Sequence, residues 1–271
     1  MFNFGPMIFS FVMSFTEWDV ITAPQFVGLQ NYIHIARESL AGHSLRVTLY
    51  YTAFSVPLIT IVTFLLAALL NTGVKGISVF RTIFYVPSIV PAVASAAIWM
   101  FLFDPMFGLL NSMLRAFHLP PQNFIYSEGG VIPSLALMSV WAAGNTVVVY
   151  LAGLQGISKE LYEAASLDGA GVFHRFFRIT VPLMTPVIFF NMVMAIINAM
   201  QTFTQVYVMT SGQGGPNNAS LVYTMLLYRT AFKFQRMGYA SAMSWVLFIV
   251  IAVFTFIVFR SQNKWVFYEN K

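Results

Sequence analysis

Asn191, Asn198, Thr202 and Gln205 follow one another at separations of 7, 4 and 3 residues inside an otherwise apolar run. At about 100° per residue, a helix would gather them within roughly 60° of its circumference, with Gln201 on the flank. Their amides and hydroxyls can hydrogen-bond neutral hydroxyl groups, or one another across helices, but carry no charge near neutral pH. Lipid cannot cover such a stripe, so it faces either a solute path or a neighbouring helix. Trp141 and Asn145, four residues apart, pair an indole face with an amide; they suit either a ring-shaped solute or a helix interface. Catalytic and metal chemistry have no comparable support. The chain has no cysteine, and His34, His43, His118 and His174 show no metal-ligand spacing and read as loop residues. Lys75 lies in Thr72-Gly73-Val74-Lys75-Gly76, which lacks the glycine spacing of a nucleotide-binding loop.

Side chains of this kind must be carried by helices in lipid. The 271 residues are 58% hydrophobic and only 8% charged, with a mean hydropathy of +0.75; a soluble domain carries about a quarter charged residues. Five runs reach the roughly 20 residues that a spanning helix needs: 46–70, 80–103, 131–154, 183–208 and 240–259. Residues 1–15 are apolar but short, with neither a basic leader nor a cleavage motif. They read as the outer part of a truncated first helix, an upstream segment having been lost or the start codon placed late. The expected fold is an all-α membrane protein, a polytopic bundle of six transmembrane helices in a single domain over 1–271. Pro57, Pro87, Pro91 and Pro186 are expected to kink their helices.

Alternating spans place 71–79, 155–182 and 260–271 on one side of the membrane. With Arg81, that side holds eight basic residues, Lys75, Arg81, Lys159, Arg175, Arg178, Arg260, Lys264 and Lys271, against six opposite, Arg37, Arg46, Arg115, Arg229, Lys233 and Arg236. The excess marks the first side as cytoplasmic. Because these residues are scattered rather than clustered, the net charge of +5 does not indicate nucleic acid. No charged residue stands mid-span, where ion-coupled transporters keep their coupling groups.

The long segment 155–182 is organised. Ser158 is placed to cap a helix over Lys159 to Leu167, and Gly169 and Gly171 end it by admitting positive φ. A second short helix from Val172 to Arg178, with Phe173, Phe176 and Phe177 on its apolar side, precedes a membrane helix begun by Pro182. A projecting helix with aromatic knobs can seat in a groove on a soluble partner.

Glu163-Ala164-Ala165, Gly169 ten residues before Ile179, and then Pro182 resemble the EAA loop of ABC-importer permeases. Val181 stands where that pattern has Leu, and Ser158 where Pro is frequent. Phe26-Val27-Gly28-Leu29-Gln30-Asn31-Tyr32, Phe80-Arg81-Thr82 with Pro87 and Pro91, Phe107-Gly108-Leu109-Leu110-Asn111 and Gly214-Gly215-Pro216 agree with it. The resemblance thus covers nearly the whole chain and looks like the carbohydrate branch. It implies a permease subunit of a bacterial inner membrane, paired with a second permease as a heterodimer. Two ATPase subunits and an extracytoplasmic solute-binding protein would complete an importer of a sugar or oligosaccharide. By the same resemblance Glu163, Ala164, Ala165, Leu167, Asp168 and Gly169 belong to the helix that couples to the ATPase. Asn198, Gln201 and Thr202 fall where the matching helix contacts sugar, with Trp141, Asn145 and Gln205 as further path residues. The chain itself is then no enzyme and holds no cofactor, ATP and Mg being bound by the partner ATPase. An importer of a polyol or glycerol phosphate on the same scaffold is the alternative. An ion-coupled secondary transporter and a membrane-embedded enzyme are more distant ones.

Overall fold

The computed structural model describes residues 4–267; Met1 to Asn3 of the expected first span, and Lys271, lie outside the described residues. The chain is mostly helical: α1 (Phe4–Met13), α2 (Gln30–Arg37), α3 (Ser39–Leu70), α4 (Ile77–Tyr85), α5 (Ala92–Leu102), α6 (Leu109–Ala116), α7 (Glu128–Trp141), α8 (Gly144–Gln155), α9 (Lys159–Leu167), α10 (Val172–Arg175), α11 (Val181–Met200), α12 (Thr204–Met209), α13 (Tyr223–Tyr228) and α14 (Met237–Trp265). Among the described residues three helices are long and apolar enough to cross a membrane: α3 with 32 residues, the stretch Val172–Met200 with 29, and α14 with 29. Two bent pairs bring the candidates to five if each pair is one span. At ten residues, α1 is apolar but short of a crossing.

Three runs expected as single helices are broken, each for a local reason. In 80–103 the chain turns by 104° between Ile77–Ile89 and α5. Pro87 and Pro91 both lack an N–H to donate, and the backbone passes through a 3-10 turn, Val86–Ile89, and an extended Val90. In 131–154 the axis bends by 52° between α7 and α8. Gly144 begins α8 there against the backbone of α4; a Cβ on it would lie 2.6 Å from the carbonyl oxygen of Phe84. In 183–208 the helix stops at Met200, and Gln201, Thr202 and Phe203 form a non-helical link to α12. Pro57 and Pro186, in contrast, sit inside the continuous helices α3 and α11.

The separate helix expected from Val172 to Arg178 is not separate. From α10 the chain continues through a π-helical stretch, Phe176–Thr180, directly into α11. The wider π turn accommodates Pro182, which cannot donate to the preceding turn. An all-α fold is also not quite what forms, because β1 (Thr16–Glu17) and β2 (Gln25–Phe26) pair antiparallel, with Thr16 opposite Phe26. Buried Asn31 fastens this hairpin to the end of α1, its Nδ2 donating to the carbonyls of Ser14 and Thr16, each at 2.9 Å. The Tyr32 hydroxyl lies 2.7 Å from Ser14 Oγ, and Gly28 turns the chain at φ +59°. At the hairpin tip the Thr22 N–H and hydroxyl, with the Ile21 N–H, donate to the Asp19 carboxylate and hold it below the usual carboxylate range.

The centre of the bundle is α3, which packs against α7, α8 and α11. One buried cluster includes Tyr51, Leu135, Met138, Met200 and Met243. A second, toward the other end of α3, includes Phe64, Tyr150, Leu154 and Met184. Phe248, Ile249, Phe256 and Ile257 of α14 are exposed, as lipid-facing residues must be. The segments expected on one side do gather at one end: Asn71, Thr72 and Gly73 line a cavity with Lys159 and Thr180. Phe267 N donates to Thr185 Oγ1 at 2.9 Å beside them. At the other end Tyr239 OH donates to Glu38 at 2.5 Å, and Asn217 donates to Glu128. Histidines 34, 43 and 174 are helical rather than in loops, with His43 Nε2 3.0 Å from the Asn218 carbonyl, and only His118 is in a loop. Among the described residues there is no cluster of three metal-ligating side chains.

Candidate functional site

Where α3, α7, α8 and α11 converge, the bundle leaves a cavity of about 440 Å³. The two interruptions of the expected helices open onto it: Ala142, Ala143, Asn145 and Thr146 at the α7–α8 bend, and Thr202 and Phe203 of the link after α11 with Thr204 and Gln205 at the start of α12. Asn191, Met194 and Asn198 project from α11, and Tyr51 from α3. The lining holds amides, hydroxyls, methyl groups and the Phe203 ring, and no carboxylate or basic side chain.

Local hydrogen bonds fix parts of this wall. Ser139 Oγ donates to the Leu135 carbonyl at 2.9 Å, so the Tyr51 hydroxyl, 2.6 Å away, is the donor to Ser139. Asn191 Nδ2 donates to Val187 O at 2.9 Å, the usual back-bond of a polar residue within an apolar helix. Thr224 Oγ1 donates to the Thr202 carbonyl and pins the non-helical link. Ser88 Oγ donates to the Tyr85 carbonyl at 2.7 Å and lies 3.4 Å from Asn145 Oδ1.

The cavity therefore brings together Asn145, Asn191, Asn198, Thr202 and Gln205. It does so through a broken chain and not the unbroken helical stripe that the spacing predicts. Gln201 is exposed at the end of α11 and lies outside the lining. Trp141 is also outside it, its ring packed edge-on against Trp99 at 6.0 Å, which is the helix-interface alternative. Tyr51, Ser139 and Thr146 were missed. Their signal was available, since each is a hydrogen-bonding residue within an apolar run.

A second candidate region is the loop at the end of the bundle. Ser158 Oγ caps α9 by accepting from Glu160 N at 3.2 Å. The helix ends in a Schellman motif: Gly169, at φ +78°, donates to Ser166 O at 3.1 Å, and Ala170 N to Ala165 O at 2.9 Å. Gly171 plays a different part from the one expected, as the extended residue before α10 at φ −68°. Two side-chain bonds tie α9 to the helix that follows. Tyr162 OH and Thr180 Oγ1 lie 2.9 Å apart, and Arg175 Nη1 donates to Ser166 Oγ at 2.6 Å. Glu163, Ala164, Asp168 and Gly169 are exposed and Ala165 is half-buried. Leu167 is 91% and Phe173 82% exposed, and Val172 and Phe177 are exposed as well, so several large apolar side chains stand outside the bundle on this loop. Phe176 turns inward instead, 5.8 Å from Phe64.

Apolar helices around a neutral polar cavity, with an exposed helical loop at one end, define a helical membrane protein built to pass or bind a polar solute. Residues 60–266 match the family described as "Binding-protein-dependent transport system inner membrane component". The chain is 39% identical to the probable ABC transporter permease protein YesP of Bacillus subtilis (strain 168), covering 100% of this chain and 88% of that protein. It is 33% identical to the trehalose/maltose transport system permease protein MalF of Thermococcus litoralis, covering 89% and 82%. A chain in the crystal structure of a bacterial alginate ABC transporter, in complex with alginate pentasaccharide-bound periplasmic protein, shares the fold. Its TM-score is 0.85 over 97% of this chain and 89% of that one, at 21% identity. The chain belongs to this family of binding-protein-dependent permeases: it is an inner-membrane subunit of an ABC importer, whose ATP hydrolysis lies on separate subunits.

Proposed function

We propose that this chain forms half of the translocation pore for a neutral sugar or oligosaccharide. In this reading residues 1–271 are a single permease domain that pairs with a second, different permease. Two ATPase subunits that bind ATP and Mg, and an extracytoplasmic solute-binding protein, complete the complex. The observation that carries the reading is the lining of the central cavity, where Asn145, Asn191, Asn198, Thr202 and Gln205 supply neutral donors and acceptors without a single charge. A sugar leaving water must keep its hydroxyls paired, and amides beside methyl groups and an aromatic ring meet both its polar and its apolar surfaces. A phosphate ester would find no cation there, which places glycerol phosphate behind a neutral sugar.

With α1 taken as the outer part of a first span, and each bent pair as one span beside the three long helices, the chain would have six spans. The end bearing 71–79 and 155–182 is then cytoplasmic, in agreement with the excess of basic residues there. Glu163, Ala164, Ala165, Leu167, Asp168 and Gly169 would form the contact with the ATPase, the exposed Leu167 and Phe173 seating in its surface. ATP binding would close the ATPase pair, draw the two permease loops together and open the pore outward to receive solute; hydrolysis would reset it inward. ATP and the liganded binding protein each shift this equilibrium only by their differential affinity for its states.

The test is ATPase activity of the complex reconstituted with its partners, across a panel of neutral and anionic sugars. Stimulation by one liganded binding protein is expected, and it names the solute. A flat response from a verified assembly would remove the sugar assignment.

A further inference from the structure

Beside α9 lies a second cavity, of about 730 Å³, between the ends of α3 and α8 and the stretch from α10 to Thr180 that leads into α11. Lys159 and Arg175 both line it, with the amides of Asn71 and Gln155 and no carboxylate. Leu154 and Val172 make part of its wall apolar. The Tyr162 and Thr180 hydroxyls that also line it are bonded to each other. One nitrogen of Arg175 is held by Ser166, which fixes the direction of the guanidinium and leaves its other N–H groups for a ligand. Two cations and two amides beside an apolar wall, at the ends of three apolar helices, match a phosphodiester continuous with hydrocarbon better than a free anion.

We propose that Lys159 and Arg175 bind the phosphate of an anionic phospholipid from the cytoplasmic leaflet. The site rests on the orientation given under Proposed function, and is separate from the solute cavity. Because Lys159 opens α9 and Arg175 is bonded to its Ser166, a bound headgroup bridges the coupling loop to the membrane surface. Occupancy would steady the loop against the ends of the spans.

The test uses the whole importer in nanodiscs of phosphatidylcholine alone, or of phosphatidylcholine mixed with phosphatidylglycerol. Native mass spectrometry reads the lipid retained after detergent exchange. Retained phosphatidylglycerol is expected, with retention about tenfold weaker in the Lys159→Gln, Arg175→Gln double variant. Lys264→Gln, a charge change on α14, should retain it as the unaltered complex does. Equal retention in all three overturns the site. Inorganic phosphate bound through Lys159 and Arg175 in phosphatidylcholine nanodiscs, with no phosphatidylglycerol retained from the mixed ones, would overturn the lipid source in favour of a free anion. Loss of the ATPase subunits from the double variant with lipid retention unchanged would overturn it in favour of a protein contact. None of these readouts depends on which solute is transported, so failure of the sugar reading leaves this test standing.

Discussion

One amide closes the turn after α1. Asn31 is 8% exposed, and both of the carbonyls it serves, on Ser14 and Thr16, depend on its Nδ2. Asn31→Ala would leave them without that donor where water hardly reaches, a loss of about 1–3 kcal/mol. The melting temperature of the solubilised complex should therefore fall by several degrees, as read by intrinsic fluorescence. At this scale the central cavity was partly legible in the sequence. Asn145, Asn191, Asn198, Thr202 and Gln205 stand out because an amide or hydroxyl amid apolar residues needs a reason to be there. Gln201 and Trp141 lie outside the lining, and the chain leaves its helix beside each of them, which spacing on an unbroken helix does not anticipate. Tyr51 carries the same signal, but its pairing with Ser139, 88 residues away in sequence, is visible only in the fold. A single Cys tests the distinction directly in a chain that has none. Asn198→Cys should react with a water-soluble maleimide and be protected several-fold by the transported sugar; Trp141→Cys should show no protection.

The elements divide according to whether local or distant atoms set their ends. Ser158 and Gly169 bound α9 through their own hydrogen bonds, and both ends could be read from residue type. The bends were readable only in part. The prolines Pro87 and Pro91 mark the 104° turn, Pro57 and Pro186 lie in helices that continue past them, and the α7–α8 bend has no proline at its centre and is shaped by the approach of Gly144 to the Phe84 carbonyl. Gly169→Pro tests the element that was legible. Proline cannot adopt φ +78° and has no N–H for the bond to Ser166, so the end of α9 must unwind. Uptake should fall by more than about tenfold, a barrier change of roughly 1.4 kcal/mol, while membrane insertion and binding of the second permease persist. Normal uptake by a well-assembled variant would remove the coupling assignment. Glu163→Lys, which reverses an exposed charge without disturbing the cap, should uncouple transport while the folded α9 persists, with circular dichroism unchanged.

For the whole molecule, composition alone announced helices in lipid, and the grouping of three distant segments at one end followed from alternation and charge. The path between that end and the cavity was hidden, because Pro182 in the sequence argues for a fresh start of helix. Instead Val172–Met200 is one rod of 29 residues, about 43 Å long at 1.5 Å per residue. Its first turn carries Arg175, bonded to α9, and its last turns carry Asn198 into the cavity. Under the proposed coupling, such a rod would act as a lever. A tilt of about 5° moves one tip by about 4 Å relative to the other, on the order of a sugar ring's half-width, with no relay of side chains in between. The π turn at Phe176–Thr180 is a notch cut near the driven end. A one-residue slip of register there would turn the far face by about 100°, which is enough to swing Asn191 and Asn198 into or out of the solute's reach.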